Sequence, residues 1–304
     1  MKLTDYEQAV ADTDVLASDD IVLPMLGLVG EVGSLVAQYK KIQRDRAGYR
    51  AFTDEVREEL GDLFWYAAAL ARRCDLSLEE ILSDNIRKAR ERFKLPLNPL
   101  PHPLFDDAAA KTEQLPRTLD ITFTETLDHE RGRAPVPVVR IHRGDSAVGD
   151  PLDDNSDDDD EYRYHDVFHL AHMAVLGWSP VMRSLLRVKR STNRDTDRIQ
   201  DGGRAIAVEE GLSAYVFSAA RAHNYFRSST MIPNDILKSC QAMTAHLEVS
   251  RRSAQDWQYA ILIGYRMFDQ LTKNRGGILR LDMNARTMTY RTPEQVRQAN
   301  LPFL

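Results

Sequence analysis

Apolar residues recur at three-and-four spacing through the first 93 positions, the signature of amphipathic helices. The pattern predicts four of them: TDYEQAVADTD, LPMLGLVGEVGSLVAQYKKIQRD, FTDEVREELGDLFWYAAALARRC and SLEEILSDNIRKARERF, with Thr53 and Ser77 as start signals. From KLPLNPLPHPLFDD to about Glu161 the texture changes to prolines, the β-like runs LDITFTET and VPVVRIH, and the acidic tract DDNSDDDDE. Helical spacing returns in YRYHDVFHLAHMAVLGW, EEGLSAYVFSAARAH, DILKSCQAMTAHLEV and DWQYAILIGYRMFDQLTK, ahead of a hairpin-like GGILRLDMNARTMTYR. The expected fold is therefore mainly α. An all-α helical bundle covers 1–97, and a Pro-rich, acidic linker with short strands covers 98–160 and belongs with the second domain. A mostly helical domain with its terminal hairpin covers 161–304. No internal repeat is visible.

Composition narrows the reading. At 304 residues and 43% hydrophobic, the chain is long enough for two cores. A net charge of −6 and a pI near 5.8 give no overall basic footprint, so neither duplex nucleic acid nor an anionic membrane is an expected partner, and a nucleotide would need a local patch. With two cysteines, no apolar signal core at the N-terminus and no run approaching the ~20 apolar residues of a membrane span, the chain reads as cytoplasmic and reduced.

The stretch EELGDLFWYAAALARR sets Glu58, Glu59 and Asp62 against aromatic and aliphatic neighbours. Glu59 and Asp62 lie one turn apart, close to the line that Leu60, Phe64 and Trp65 would bury. Antiparallel packing of the second and third helices would bring Glu31 to them. Carboxylates grouped this way suit Mg2+, which binds through a few carboxylates, waters and substrate phosphates. The plainer alternative is a solvated acidic face pairing with Arg57 and Arg73.

Residues 1 to about 95 resemble the MazG-like all-α nucleoside triphosphate pyrophosphohydrolases, through GLVGEVGSL at 27–35 with Lys40 and Lys41 following, EELGDLFWYAAALA at 58–71, and NIRKARERF at 85–93. The resemblance implies Mg2+, with Mn2+ as a substitute, on paired ExxE and ExxD motifs. Carried over by position, Glu31, Glu59 and Asp62 are metal ligands, Glu58 joins the catalytic set, and Asn85, Lys88 and Arg92 hold phosphates or base. It further implies attack of water at the α-phosphorus to give monophosphate and pyrophosphate, and a homodimer or larger assembly. Lys40 and Lys41 are placed to meet phosphate, although each alone reads as a surface charge. One departure stands out: the second acid of ExxE is Ser34, and Gln38 one turn later carries no carboxylate either. A nucleotide-sensing protein with a weakened site and a C-terminal effector domain is therefore a second class to hold beside the hydrolase.

In YRYHDVFHLAHMAVLGW, His165, His169 and His172 fall at i, i+4 and i+7, with Asp166 beside them, and Glu209 and Glu210 lie on a later helix. Imidazoles at one-turn spacing with acids nearby suit a transition metal, or, protonated, a phosphate. The alternative is a polar face whose imidazoles hydrogen-bond the DDNSDDDDE acids. The region resembles the C-terminal domain fused to some MazG-like domains, on GDPLDDN at 149–155, YRYHDVFHLAHMAVLGWSP at 162–180 and VEEGLSAYVF, over most of 115–295. That resemblance implies no reaction. Arg183, Arg187, Lys189, Arg190, Arg194, Arg198 and Arg204 form a basic run that suits either a phosphorylated ligand or a solvated loop.

Overall fold

The computed structural model describes residues 1–15, 20–93, 102–129, 135–157, 159–292 and 294. Two compact units emerge, Met1–Lys94 and Leu95–Leu304. Most of the Pro-rich segment, 94–101, lies outside the described residues, as do 295–304.

The first unit holds α1 (Leu3–Thr13), α2 (Val22–Asp45), α3 (Phe52–Arg73) and α4 (Leu78–Phe93). Helices α2 and α3 form an antiparallel hairpin in which Gln38 lies against Glu59 and Gly27 against Tyr66. A Cβ at Gly27 would fall 2.3 Å from the Tyr66 ring, so glycine is what lets the two helices approach there. Helix α1 is tied to α3 by Trp65 Nε1 donating to Thr13 Oγ1 at 3.0 Å, and by Arg72 and Arg73 on Asp14, each at 2.5 Å. Arg73 binds Asp14 and Arg57 pairs with Asp54 at 2.7 Å, while Glu58 and Asp62 are exposed and Glu59 is half-buried. Ser77 accepts from the Glu80 amide at 3.4 Å at the start of α4, whereas α3 begins ahead of Thr53, with Ala51 at its N-cap.

Among the described residues the core of this unit is small: Val10, Ala68, Ala69 and Leu78, with Tyr6, Trp65 and Leu82 packed around them. Along the 24 residues of α2 only Pro24 and Gln38 are buried. Against the run-length expectation, this helix is long and apolar enough to cross a membrane by length and composition, because its Gly, Ser and Gln positions interrupt the apolar run without charging it.

The second unit is built on one antiparallel sheet with strand order β3-β2-β1-β4-β5: β1 (Thr118–Asp128), β2 (Val136–Arg143), β3 (Ser146–Ala147), β4 (Gly276–Asp282) and β5 (Thr287–Arg291). Phe123 of β1 sits opposite Ile141 of β2 on one side and Gly277 of β4 on the other. The strands expected within a linker are thus the middle of the sheet, and the terminal hairpin completes it. Alternation turns Leu119, Ile121, Phe123, Val139, Ile141, Leu279 and Leu281 into one continuous core with the helices. Those helices are α5 (Asp166–Ala171), α6 (Pro180–Leu185), α7 (Arg194–Ile199), α8 (Gly203–Arg221), α9 (Asn234–Met243) and α10 (Ala254–Lys273). Of these, α5 and α10 pack directly on each other.

The acidic tract is part of this unit too. Arg163, fully buried, is held by Glu125 at 3.0 Å, Asp154 at 2.6 Å, Asp159 at 2.7 Å and Glu161 at 2.5 Å. Its acids therefore neutralise a guanidinium rather than the histidines.

The expected single helix over YRYHDVFHLAHMAVLGW is broken. A 3-10 turn at Tyr162–Tyr164 leads into α5, which widens into a π-helical turn at His172–Leu176 and stops at Gly177 with φ +66°. The stop is local chemistry: Gly177 takes the left-handed position, and Ser179 followed by Pro180 starts α6, with Ser179 Oγ accepting from the Met182 amide at 3.0 Å.

Candidate functional site

The α2–α3 hairpin brings the predicted N-terminal acids together. Glu31 approaches Glu59 and Asp62, and its carboxyl is raised by burial, by sharing a hydrogen bond with Glu59, and by the charges of Asp62 and Glu59. Between these acids and the far end of the hairpin sits Gln38, 4% exposed. Its Nε2 donates to Glu59 Oε1 at 2.9 Å and to Glu55 Oε2 at 3.4 Å, while its Oε1 accepts from Lys41 Nζ at 3.0 Å and from the Tyr49 hydroxyl at 2.5 Å. Lys41 also stands over the Tyr49 ring at 5.7 Å. Both N–H groups and both lone pairs of this amide are thus engaged within the site.

Of the other predicted residues, Glu58, Lys40 and Asn85 are exposed, and Ser34 is half-buried on α2. The side chains of Lys88 and Arg92 lie outside the described residues. The sequence reading missed Glu55, Gln38 and Tyr49. Glu55 had a signal: it precedes Glu59 by four residues and Asp62 by seven, on one helix face. Gln38 was set aside for lacking a carboxylate, and the structure puts its amide to work on two of them.

In the second unit, α5 and its π turn present His169 and His172 to Glu209 of α8, and all three are buried. Glu209 Oε1 lies 3.1 Å from His169 Nδ1 and 3.1 Å from His172 Nδ1. Glu209 Oε2 accepts from Ser179 Oγ at 3.0 Å and from the Val181 amide at 2.9 Å. On the far side of the His169 ring, Nε2 faces Glu210 Oε2 at 3.3 Å. His165 and Asp166 stay beside His169, one ligand atom of each lying within 4.8 Å of the others; His165 Nδ1 bonds the Tyr162 carbonyl at 2.9 Å, its ring stacks on Tyr162, and its Nε2 stands 3.4 Å from Asp166. Burial opposes charge on His169, but Glu209 and Glu210 outweigh it and raise this imidazole, whereas burial dominates at His172 and lowers it. Ser179 went unnoticed in the sequence, although Ser before Pro after a glycine is a readable cap signal.

The basic run is not a phosphate cradle at its two buried members. Arg183 binds Asp106 at 2.7 Å and Arg190 binds Asp201 at 2.6 Å and Glu248 at 2.7 Å, so they hold the fold. Arg187, Arg194, Arg198 and Arg204 are exposed.

A helical hairpin with facing acids lies in the first unit, and helices on an antiparallel sheet make up the second. Residues 23–95 match the MazG nucleotide pyrophosphohydrolase domain and residues 100–294 the MazG C-terminal domain. The chain belongs to the MazG family. It is similar to the Gene 37 protein of Mycobacterium phage L5, 33% identical over 96 residues that span 29% of this chain and 84% of the phage protein. No solved structure matches.

Proposed function

We propose that the protein is a Mg2+-dependent nucleoside triphosphate pyrophosphohydrolase, converting NTP or dNTP to monophosphate and pyrophosphate in its N-terminal bundle. The observation that carries this is the grouping of Glu31, Glu59 and Asp62 across the α2–α3 hairpin, where burial, a hydrogen bond shared with Glu59 and the charges of Asp62 and Glu59 together raise the Glu31 carboxyl. Such crowding is unfavourable without a cation and fits an oxygen-ligated one. These three residues would hold Mg2+, which when bound offsets charge on the triphosphate oxygens. Glu55 adds negative charge at one edge, Lys41 stands ready for phosphate at the same edge, and Gln38 fixes the orientation of the Glu59 carboxylate.

One observation favours a second reading. Gln38 supplies an amide, and Ser34 a hydroxyl, where the resemblance leads one to expect a second acid, so the metal site is poorer in charge. A protein that binds a triphosphate and turns it over slowly, passing the signal to its C-terminal unit, follows from that. A panel of NTPs and dNTPs with Mg2+, assayed for pyrophosphate release and separately for binding, tells the two apart.

The working form is a dimer of two copies. Helix α2 presents Leu26, Val29 and Val36, and α3 presents Leu60 and Phe64, with Val29 70% and Phe64 56% exposed. A second copy of the same hairpin is the partner that an apolar face of this extent suits, since a single hairpin leaves α2 with almost no buried surface of its own.

A further inference from the structure

Six of the seven buried side-chain polar atoms found without a hydrogen-bond partner among the described residues gather in one place. They are both ring nitrogens of His169, the indole nitrogens of Trp178 and Trp257, Ser213 Oγ and the Tyr265 hydroxyl. His172 is the hub: its ring lies 6.3 Å from that of His169, 6.2 Å from Trp178 and 5.6 Å from Trp257. Ser213 and Tyr265 line with it a cavity of about 10 Å³, room for about one water. Buried polar atoms are rarely left unsatisfied: the indole N–H groups and the hydroxyls call for water, whereas His169, fully buried, offers ring nitrogens that can ligate a cation.

We infer that His169, His172 and Glu209 hold a divalent transition-metal ion, at a site separate from the acids of the N-terminal bundle. Glu209 Oε1 faces Nδ1 of both His169 and His172, and one ligand atom from each of the three residues falls within 4.8 Å of the others. Donors about 2.0–2.1 Å from a tetrahedral ion stand about 3.3 Å apart, close to the 3.1 Å from Glu209 Oε1 to each imidazole nitrogen. At His169 this approach is close without being directional: both ring nitrogens have carboxylate oxygens nearby, yet neither makes a hydrogen bond of acceptable geometry. At His172 the contact of Nδ1 with Glu209 Oε1 is an ordinary hydrogen bond at 3.1 Å, which a shared ion would replace, whereas at His169 the approach lacks hydrogen-bond direction, as lone pairs aimed at an ion do.

The surroundings support each ligand as ligands of metals are supported. Ser179 Oγ and the Val181 amide occupy Glu209 Oε2, leaving Oε1 for the ion, and Glu210 Oε2 stands 3.3 Å from His169 Nε2 on the far side of the ring. Two imidazoles and one carboxylate favour a borderline ion such as Zn2+ over Mg2+, which prefers an all-oxygen shell. Three protein ligands leave a coordination position open, the arrangement of reactive rather than purely structural sites. The half-exposed Glu210, with His165 and Asp166, marks the side nearest solvent.

The test uses the full chain carrying Glu59→Gln and Asp62→Asn, so that the N-terminal acids take up no ion and failure of the pyrophosphohydrolase reading leaves the result untouched. The protein is stripped with a chelator and titrated with Co2+, followed by visible d–d absorption and elemental analysis. Uptake of about one ion per chain with d–d bands is expected. His172→Gln and Glu209→Gln should abolish it, and Ser179→Ala should weaken it about 10–100-fold with the circular dichroism spectrum unchanged. The last variant keeps the test decisive if the ligand variants misfold. A chain that takes up neither Co2+ nor Zn2+, or that takes up Co2+ equally well after His172→Gln and Ser179→Ala, overturns the inference and leaves a buried His–Glu ion pair.

Discussion

Gln38 on α2 reaches Glu59 on α3 across 2.9 Å, placing a neutral amide against a carboxylate of the proposed metal cluster. The contact fixes one ligand without adding charge, which explains how the acids of this hairpin coexist before an ion binds. Gln38→Glu removes two donors and adds a like charge at a buried position. The variant is expected to lose about 1–3 kcal/mol without metal and to recover more of its melting temperature on adding Mg2+ than the wild type does. Thermal melts with and without Mg2+ measure this, and an equal Mg2+ response in both proteins counts against a shared cluster.

The apolar face of α2 and α3 makes a prediction about assembly. Sedimentation of the purified chain without detergent should give a dimer, and Val29→Glu with Phe64→Glu should give a soluble monomer. A wild-type monomer, or a chain that sediments only with lipid or detergent, contradicts a two-copy hairpin interface.

Arg163 gathers four carboxylates at a fully buried position. Arg163→Met leaves Asp154, Asp159 and Glu161 without this cation, while Glu125 keeps Arg275 at 2.7 Å, and a cost of about 3–5 kcal/mol in the second unit is expected. Differential scanning calorimetry should show the transition of the second unit falling while that of the N-terminal bundle stays put; a shift of less than about 1 kcal/mol would mean that the acids find water instead.

Acid should unfold the second unit through depressed carboxyls. Burial alone would raise Asp106, but the Leu115 amide and the Arg183 and Arg117 guanidinium groups outweigh it and hold it below the usual range. At Asp256 burial is likewise outweighed, by Arg286 and Ser253. Because the folded values lie below the unfolded value of about 3.9, the unfolded chain binds more protons in that window. The stabilisation is therefore complete above about pH 5 and is lost as pH falls through the folded values. Melting temperature should drop between about pH 4 and pH 2, and Asp106→Asn should lower it at neutral pH while flattening the acid limb. An acid limb as steep in the variant as in the wild type assigns the effect to other groups.

The helices were legible because three-and-four spacing is a local property, and so were LDITFTET and VPVVRIH as strands. Their pairing was not: β1 lies between β2 and β4, and Phe123 opposite Gly277 joins positions that no periodicity relates. The acidic tract looked like a linker because its partner, Arg163, is a single residue with no pattern of its own. At the N-terminal site the charged members could be read, whereas Gln38 could not, since only the hairpin register shows a neutral side chain bridging two acids. The histidine helix was read as continuous because its π turn depends on tertiary packing, although Gly177 and Ser179–Pro180 marked where it had to end.

The central claim rests on Glu59 and Asp62, so the most direct measurement is pyrophosphate release from the best substrate of the triphosphate panel, with Mg2+, by the wild type, Glu59→Gln and Asp62→Asn. The wild type should turn over at least one triphosphate to monophosphate and pyrophosphate, and each variant should lose about 100-fold or more while melting at or above the wild-type temperature. Wild-type turnover in both variants would contradict the account.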